Sequence, residues 1–177
     1  MMFIIAGRFK KRKLVTPKGN TTRPTLGKMR ETLFNIIQSE IEGATFLDLF
    51  AGSGTMGLEA LSRGASSVTF VEKDRAAIRA IETNIEHFGV EKEVSLIRGD
   101  VFKALEHLAP FDIIFADPPY GHGYGEKVLA MVEKYNLVKG SLFVEESDEL
   151  PPPKNLQLVS CRKMGRTKLH HFEPNWL

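Results

Sequence analysis

The sequence has almost no cysteine and no long apolar run, so it lacks what disulfides, cysteine-based metal clusters and membrane spans require. Cys161 is the single cysteine among 177 residues, so neither an internal disulfide nor a cysteine-based metal cluster can form. No apolar run approaches the roughly 20 residues that a transmembrane helix needs. The first residues also lack the basic lead and the apolar length of a signal peptide. We therefore expect a cytoplasmic protein that has no membrane segment and needs no metal.

Acidic residues are absent from the first 30 positions. That segment contains nine lysine or arginine residues, whereas the rest of the chain carries 15 basic and 22 acidic residues and hence a charge of −7. Short apolar stretches at residues 3–5 and 14–15 predict two short strands that form a β-hairpin arm, which a disordered tail would not need. A structured basic arm of this kind is suited to a phosphate backbone, so we expect a nucleic-acid partner.

Beyond the arm, helix and strand patterns follow one another. Apolar residues at three- and four-residue spacing predict a helix that ends at residues 42–43, and a short helix is predicted at 101–108. The predicted core strands lie at residues 45–50, 67–71, 93–97, 111–116, 140–145, 156–161 and 167–172. Repeated βα units predict an α/β, three-layer Rossmann-like fold with a mostly parallel sheet, and the last two strands must pair antiparallel because only a short turn joins them.

These patterns fit a single domain that spans residues 1–177. We expect a basic arm at residues 1–24, a linking helix at 25–43 and a catalytic core at 44–177.

A glycine-rich turn closes the first core strand and opens a helix. Gly52, Gly54 and Gly57 spell G-x-G-x-x-G, and Glu72 follows 20 residues after Gly52, at the end of the next strand. This spacing is typical of adenosine-cofactor sites, where small residues let backbone amides approach the ligand and the acid holds the ribose hydroxyls. By itself the pattern does not separate an NAD-type oxidoreductase from other enzymes that bind an adenosine cofactor.

Two more carboxylates narrow the choice of cofactor. Asp48 lies in the approach to the turn, where it would repel a pyrophosphate and attract an amino-acid ammonium. S-adenosylmethionine carries such an ammonium and no phosphate. Asp100 follows the third core strand and could accept a hydrogen bond from the adenine amine. The ordinary alternatives are a helix N-cap for Asp100 and a turn residue for Asp48.

The stretch Asp117-Pro118-Pro119-Tyr120 directly follows a predicted buried strand, at the kind of sheet edge where ligands bind. The two prolines remove two backbone donors, which leaves the carbonyl groups free to accept hydrogen bonds. Tyr120 offers a flat face to a planar ring. The set suits a planar amine, although the four residues read alone could also form an ordinary solvated turn.

Together these motifs resemble those of the class I S-adenosylmethionine-dependent methyltransferases that methylate amines. More closely, the chain is similar to the bacterial small-subunit (16S) ribosomal RNA guanine-N2 methyltransferases, and the resemblance runs nearly end to end. Three further stretches carry it: residues 4–8 (Ile-Ile-Ala-Gly-Arg), residues 23–25 (Arg-Pro-Thr) with 30–35 (Arg-Glu-Thr-Leu-Phe-Asn), and residues 48–54. One departure is Met1-Met2-Phe3, where the family usually has Met-Arg before Ile-Ile.

The resemblance implies a seven-stranded sheet whose last strand is antiparallel, S-adenosylmethionine as the cofactor, and a guanine in ribosomal RNA as the acceptor. It also implies a substrate presented on a partly assembled small subunit, and we expect a monomer. The expected catalytic residues are Asp117, Pro118, Pro119 and Tyr120. The expected cofactor-binding residues are Asp48, Phe50, Gly52, Gly54, Glu72, Asp100 and Asp117. The expected RNA-binding residues are Arg8, Lys10, Lys11, Arg12, Arg23, Thr25 and Arg30.

In this hypothesis Asp117 and the Pro118 carbonyl accept the two hydrogens of an exocyclic amine, and Tyr120 stacks on the base.

Two alternative functions stay open. The first is an adenine-N6 or other exocyclic-amine methyltransferase acting on RNA or DNA. The second, from a different class, is an NAD-type dinucleotide-binding oxidoreductase.

Overall fold

The structure is a computed structural model that describes residues 1–18 and 24–175. The predicted RNA contact Arg23 lies outside the described residues, and so does the side chain of Thr25. In chain order the elements are β1 (Met2–Phe3), β2 (Lys13–Leu14), α1 (Pro24–Ile36), β3 (Thr45–Leu49), α2 (Thr55–Ser62), β4 (Ser67–Glu72), α3 (Arg75–Phe88), β5 (Val94–Arg98), α4 (Val101–Leu105), β6 (Phe111–Ala116), α5 (Tyr124–Lys134), β7 (Val138–Glu146), β8 (Leu156–Met164) and β9 (Thr167–Pro174).

Seven of the strands form one sheet in the order β5-β4-β3-β6-β7-β9-β8. The pairs from β5 to β7 are parallel, and β9 runs antiparallel to both of its neighbours. This confirms the predicted mostly parallel seven-stranded sheet with an antiparallel last strand. The strand order reverses between β3 and β6, and a crevice at the carboxyl ends of the strands is expected at such a switch point.

An apolar layer covers each face of the sheet. One face carries the buried rings of Phe46, Phe115 and Phe143, which pack with α1, α2 and α3. The other carries Leu47 and Ile114, which pack with α4 and α5. Successive side chains of a strand point to opposite faces, so the packing of these core residues fixes the face that each strand-end residue uses.

The basic arm is docked on the core. Its two short strands pair antiparallel, as predicted. The buried carboxylate of Glu59 in α2 accepts hydrogen bonds from the backbone N–H groups of Ile5 at 2.8 Å and Ala6 at 3.1 Å. Asn84 in α3 both accepts from the N–H of Val15, at 2.8 Å, and donates to its carbonyl, at 2.9 Å. The arm is thus part of the folded domain.

Gly7 lies where the arm crosses α2 at close range. Its φ angle is +88°, and a Cβ atom built there would lie 1.8 Å from the carbonyl oxygen of Ser62. The N–H of the next residue, Arg8, donates to that same oxygen at 2.9 Å. The contact joins backbone to backbone, so only glycine fits at position 7.

Two helices end earlier than predicted. α1 ends at Ile36 instead of at residues 42–43, because a turn follows in which the N–H of Ile41 donates to the carbonyl of Ile37 at 3.0 Å. Ile37 and Ile41 remain buried in that turn, so their spacing imitates a continued helix. α4 ends at Leu105 instead of residue 108, where a tighter turn follows in which the N–H of His107 donates to the carbonyl of Ala104 at 3.0 Å. No helix in the described ranges has the length and apolarity to cross a membrane.

Candidate active site

A cavity of about 760 Å³ opens at the carboxyl ends of β3, β6 and β7 and is bounded on one side by the arm and α1. Its lining residues are Met2, Thr16, Leu26, Met29, Arg30, Asp48, Phe50, Ala51, Gly52, Ser53, Thr55, Met56, Phe115, Asp117, Pro118, Pro119, Tyr120 and Glu145. The glycine-rich turn and the Asp-Pro-Pro-Tyr stretch, which are far apart in the sequence, therefore line one space. Three of the predicted cofactor-binding residues, Gly54, Glu72 and Asp100, are not in the lining.

The glycine-rich turn is tied to the end of β4 by Glu72. One carboxylate oxygen of Glu72 accepts from the N–H of Gly52 at 2.8 Å, and the other accepts from Lys73 and Asp74, both at 2.9 Å. The first oxygen keeps a second lone pair, which could accept from a ribose hydroxyl. Glu72 thus holds the turn and remains compatible with its predicted role in cofactor binding.

Phe50 takes an unusual backbone conformation at the tip of β3. Its φ angle is 55°, in the left-handed region that bulky residues rarely adopt. The ring stacks on Tyr124 at 6.2 Å between centroids and meets the edge of Phe102 at 6.1 Å. Such backbone strain, on the order of 1–3 kcal/mol, is found mostly at functional sites. The sequence reasoning missed Phe102 and Tyr124, although both stand at the start of a helix that follows a core strand.

Asp48 is a buried carboxyl group at the cofactor side of the cavity. Its side chain accepts a hydrogen bond from the N–H of Gly57 at 3.0 Å, and the residue is 1% exposed. Burial raises the pKa of Asp48 well above its ordinary value; the Gly57 hydrogen bond opposes this shift and the negative charge of Glu72 adds to it. A cationic ligand beside Asp48 would favour the ionised carboxylate, which suits the predicted ammonium.

Asp100 is the N-cap of α4, which is the ordinary alternative to a cofactor contact that the sequence left open. One carboxylate oxygen accepts from the backbone N–H groups of Phe102 at 2.9 Å and Lys103 at 3.1 Å. The contact between Asp100 and an adenine amine stays a prediction.

The Asp-Pro-Pro-Tyr stretch lies against β7 and β9. The Tyr120 hydroxyl donates to one carboxylate oxygen of Glu145 at 3.1 Å and lies 2.8 Å from the Thr167 hydroxyl. The tyrosine is 38% exposed, so much of its ring remains available to a planar partner. Glu145, which the sequence reasoning missed, fixes the polar end of that ring.

Burial, followed by the negative charge of Glu145, raises the pKa of Asp117 well above its ordinary value. The charges of Asp48 and Glu146 raise it further. Burial likewise raises the pKa of the Tyr120 hydroxyl. The acceptor half of the cavity is therefore a desolvated, acidic environment in which a proton is readily held.

Arg30, predicted on the RNA side, is buried and 4% exposed, and it lines the cavity. Its contact with RNA stays a prediction. Its guanidinium donates to the carbonyl of Phe3 at 2.8 Å, and its Nε lies 3.5 Å from a carboxylate oxygen of Glu59. Burial lowers the pKa of Arg30, and the charge of Glu59 opposes that shift. Arg30 joins α1, α2 and the arm from inside and contributes to the wall of the cavity.

The other predicted RNA contacts in the described part of the arm are exposed. Arg8 forms an ion pair with Glu93 at 2.6 Å, and Arg12 donates to the carbonyl of His87 at 2.6 Å. Lys10 and Lys11 make no ion pair within residues 1–18 and 24–175, so their ammonium groups are the ones most open to a phosphate. In those same ranges no three His, Cys, Asp or Glu side chains are grouped to hold a metal ion.

The sheet order, its one antiparallel strand, and a cavity shared by the glycine-rich turn and the Asp-Pro-Pro-Tyr stretch define a class I S-adenosylmethionine-dependent methyltransferase. The model of a family described as "Conserved hypothetical protein 95" matches residues 2–173. The chain is 34% identical to the ribosomal RNA small subunit methyltransferase D of Buchnera aphidicola subsp. Acyrthosiphon pisum, over 89% of this chain and 85% of that protein. It is 32% identical to the protein of the same name from Haemophilus influenzae, over 92% of this chain and 88% of that protein.

Among solved structures, the fold matches one described as "Putative methyltransferase yhhF from Escherichia coli" with a TM-score of 0.89 and 32% identity, over 98% of this chain and 97% of that one. The chain therefore belongs to the family of the ribosomal RNA small subunit methyltransferases D.

Proposed function

We propose that the protein transfers a methyl group from S-adenosylmethionine to the exocyclic N2 of a guanine in small-subunit (16S) ribosomal RNA. The observation that carries this proposal is the single cavity of about 760 Å³ that Asp48, Gly52 and Asp117 all line. The names of the Buchnera and Haemophilus relatives support ribosomal RNA as the acceptor. The choice of guanine N2 rests on the resemblance of the sequence motifs.

The cofactor half of the site uses carboxylates and backbone amides. Asp48 would take the ammonium of the cofactor, which relieves the desolvation of its buried charge, and Glu72 would accept from the ribose hydroxyls. When bound, S-adenosylmethionine supplies an electrophilic methyl group on its sulfonium. The glycine-rich turn keeps side chains away from the ligand, so backbone N–H groups can approach it.

The acceptor half positions a poor nucleophile. The lone pair of an exocyclic guanine amine is delocalised into the ring, so Asp117 and the Pro118 carbonyl would accept its two hydrogens and aim the nitrogen at the methyl group. Positioning of this kind can supply several kcal/mol. Tyr120 would stack on the base, which must first leave its own stack at a cost of a few kcal/mol. Structured RNA offers loops where bases are already splayed out.

The arm would bring the RNA to the site. Its exposed cations stand on a chain whose remainder is acidic, and phosphate contacts of this type add affinity that does not depend on sequence. We propose that a monomer binds ribosomal RNA within a partly assembled small subunit. Lys10 and Lys11, which are exposed and make no ion pair in the described ranges, would contribute phosphate contacts.

The test supplies S-adenosylmethionine labelled in its methyl group and compares naked 16S ribosomal RNA, small subunits and duplex DNA as acceptors. We expect label in small-subunit ribosomal RNA, recovered after nuclease digestion as N2-methylguanosine. The Asp117→Ala variant is the matched blank: it should bind the cofactor by calorimetry and transfer methyl at least about 100-fold more slowly. Label in DNA alone, or in an adenine, would overturn the proposal in favour of its alternatives.

A further inference from the structure

Asp117 and Glu145 stand side by side at the ends of two neighbouring strands. β6 and β7 are parallel, and Ala116 pairs with Val144 in their register. The next residues along the two strands are Asp117 and Glu145, and side chains at paired positions of neighbouring strands share a face. Both line the cavity. Like charges at directly opposite positions destabilise a sheet unless something intervenes between them.

The partners of Glu145 indicate what intervenes. Glu145 is 4% exposed, and one of its carboxylate oxygens accepts from the Tyr120 hydroxyl at 3.1 Å. The other oxygen, Oε2, is buried and has no partner from an N–H or O–H group in the described part of the chain. The strand register and the shared cavity lining place the Asp117 carboxyl beside Glu145. A single proton between the two carboxyl groups would pair this buried oxygen and remove the repulsion.

The surroundings favour keeping that proton. Asp48 on β3 and Glu146 on β7 add negative charge near Asp117. On β9, Lys168 is paired with Glu146 in the strand register. Arg30 is the one cation that lines the cavity within the described ranges, and its guanidinium already contacts Glu59 and a backbone carbonyl of the arm. Within the described residues, no ion pair or hydrogen bond joins Arg30 to Asp117 or Glu145.

We propose that Glu145 is a positioning residue for methyl transfer, because its carboxyl group shares one proton with Asp117 and holds the Tyr120 hydroxyl, so that the amine acceptor and the stacking ring are oriented together. This inference rests on the proposed function, since it needs Asp117 to receive an amine N–H.

The shared proton leaves Asp117 the accepting member of the pair. As the nitrogen–carbon bond to the methyl group forms, the carbon–sulfur bond breaks and its electron pair stays on sulfur. The nitrogen becomes positively charged and passes one proton to Asp117, while Glu145 keeps the proton it already holds. One proton then leaves to solvent, and the pair returns to a single negative charge.

The Glu145→Gln variant tests this arrangement, because the amide keeps the size of the side chain and can still accept from Tyr120 while its NH₂ donates to Asp117. The wild-type pair loses its shared proton at high pH, which should lower kcat there. The amide has no such proton to lose, so we expect the basic limb of the kcat–pH profile to be absent in Glu145→Gln. Affinity for S-adenosylmethionine, measured by calorimetry, should be unchanged. Glu145→Ala removes both contacts, and its kcat should fall at least about tenfold at every pH.

The matched control is Glu146→Gln, which removes the same charge one residue further along β7. Glu146 accepts from the N–H of Ser147 at 3.0 Å and is not in the cavity lining, so this variant should keep the basic limb of the wild type. A Glu145→Gln enzyme with the profile and rate of the wild type would overturn the inference.

A readout that needs no turnover separates this inference from the proposed function. Carboxyl-carbon NMR of Asp117 should show a titration well above the ordinary range in the wild-type protein, and a lower one in Glu145→Gln. Identical Asp117 titrations in the two proteins would overturn proton sharing. A wild-type protein that shows the shift and methylates no ribosomal RNA would overturn the proposed function alone.

Discussion

At the scale of single residues, Asp48 holds a carboxyl group where its ionised form is disfavoured. Burial raises the pKa of Asp48 above its value in the unfolded chain, which is about 4. The folded state therefore binds a proton more tightly than the unfolded state does. It loses stability as the pH rises from about 4 through the folded pKa, and above that pKa the loss is complete.

We predict that Asp48→Asn raises the free energy of unfolding by roughly 1–3 kcal/mol at pH 8, and by less near pH 4, because the amide removes a buried charge and still accepts from Gly57. Affinity for S-adenosylmethionine should fall at least about tenfold, since the ammonium loses its partner. Denaturant unfolding at the two pH values and calorimetry measure these effects.

Asp74→Asn is the control for this prediction. Asp74 caps α3 through the N–H of Ala77, at 2.9 Å, and asparagine caps helices equally well, so both quantities should stay as in the wild type. If Asp48→Asn were less stable than the wild type at pH 8, the buried charge of Asp48 would not be destabilising the folded state.

The place of Asp117 could be predicted from the sequence, because it directly follows an apolar run. Asp48 could be recognised because it stands four residues before Gly52 of the glycine-rich turn. The burial of Arg30 could not be predicted. A basic residue near a basic arm suggests a surface contact, whereas its burial depends on Glu59, which lies 29 positions further on and is 0% exposed. The sequence shows the charges but not which of them are paired inside the protein.

At the scale of secondary-structure elements, the order of strands and helices was predictable, since the apolar period changes at each junction. Glu145 was not. Phe111 pairs with Val138 and Ile113 with Ser141, so an irregularity between β6 and β7 moves the register by one residue. Without it Val144 would stand beside Asp117, and Glu145 would point to the other face of the sheet. A bulge of this kind leaves no recognisable pattern in the sequence.

The docking of the arm on α2 depends on Gly7. We predict that Gly7→Ala loosens the arm, because the new Cβ would overlap the carbonyl oxygen of Ser62, at 1.8 Å. Denaturant unfolding should show a loss of free energy well beyond the roughly 1–2 kcal/mol that a positive φ alone costs alanine. Limited trypsin digestion should cut the arm faster than in the wild type.

Gly43→Ala provides the matched comparison, since Gly43 has a φ of +76° and open space where its Cβ would lie. Gly43→Ala should lose only the roughly 1–2 kcal/mol that a positive φ costs alanine. Equal losses for the two variants would show that the contact with Ser62 does not hold the arm.

At the scale of the whole molecule, the charge is divided between a basic arm and an acidic remainder. We predict that replacing both Lys10 and Lys11 by alanine weakens RNA binding and reduces the slope of log K against log salt by about 1–2, because up to two phosphate contacts are lost. The kcat at saturating RNA should be unchanged, since neither lysine lines the cavity. Binding titrations at several salt concentrations measure the slope.

Lys139 and Lys154 offer a control with the same change of charge. Lys139 is exposed near the amino end of β7, and Lys154 is exposed just before β8, both remote in the sheet from the carboxyl-end cavity. The doubly substituted Lys139→Ala/Lys154→Ala protein should keep the wild-type slope. A similar reduction in both double variants would mean that RNA responds to net charge and not to the arm.

The buried hydrogen bonds that Glu59 and Asn84 make to the arm have a consequence for the thermodynamics of association. The arm is already ordered before RNA arrives, so binding carries no entropic penalty for folding residues 1–18. Asn84 also donates to the carbonyl of Ser53 in the glycine-rich turn, at 3.1 Å, so this amide joins the arm to the cofactor loop. Association with RNA should therefore show the small heat-capacity change of two preformed surfaces, and not the large negative value that accompanies coupled folding.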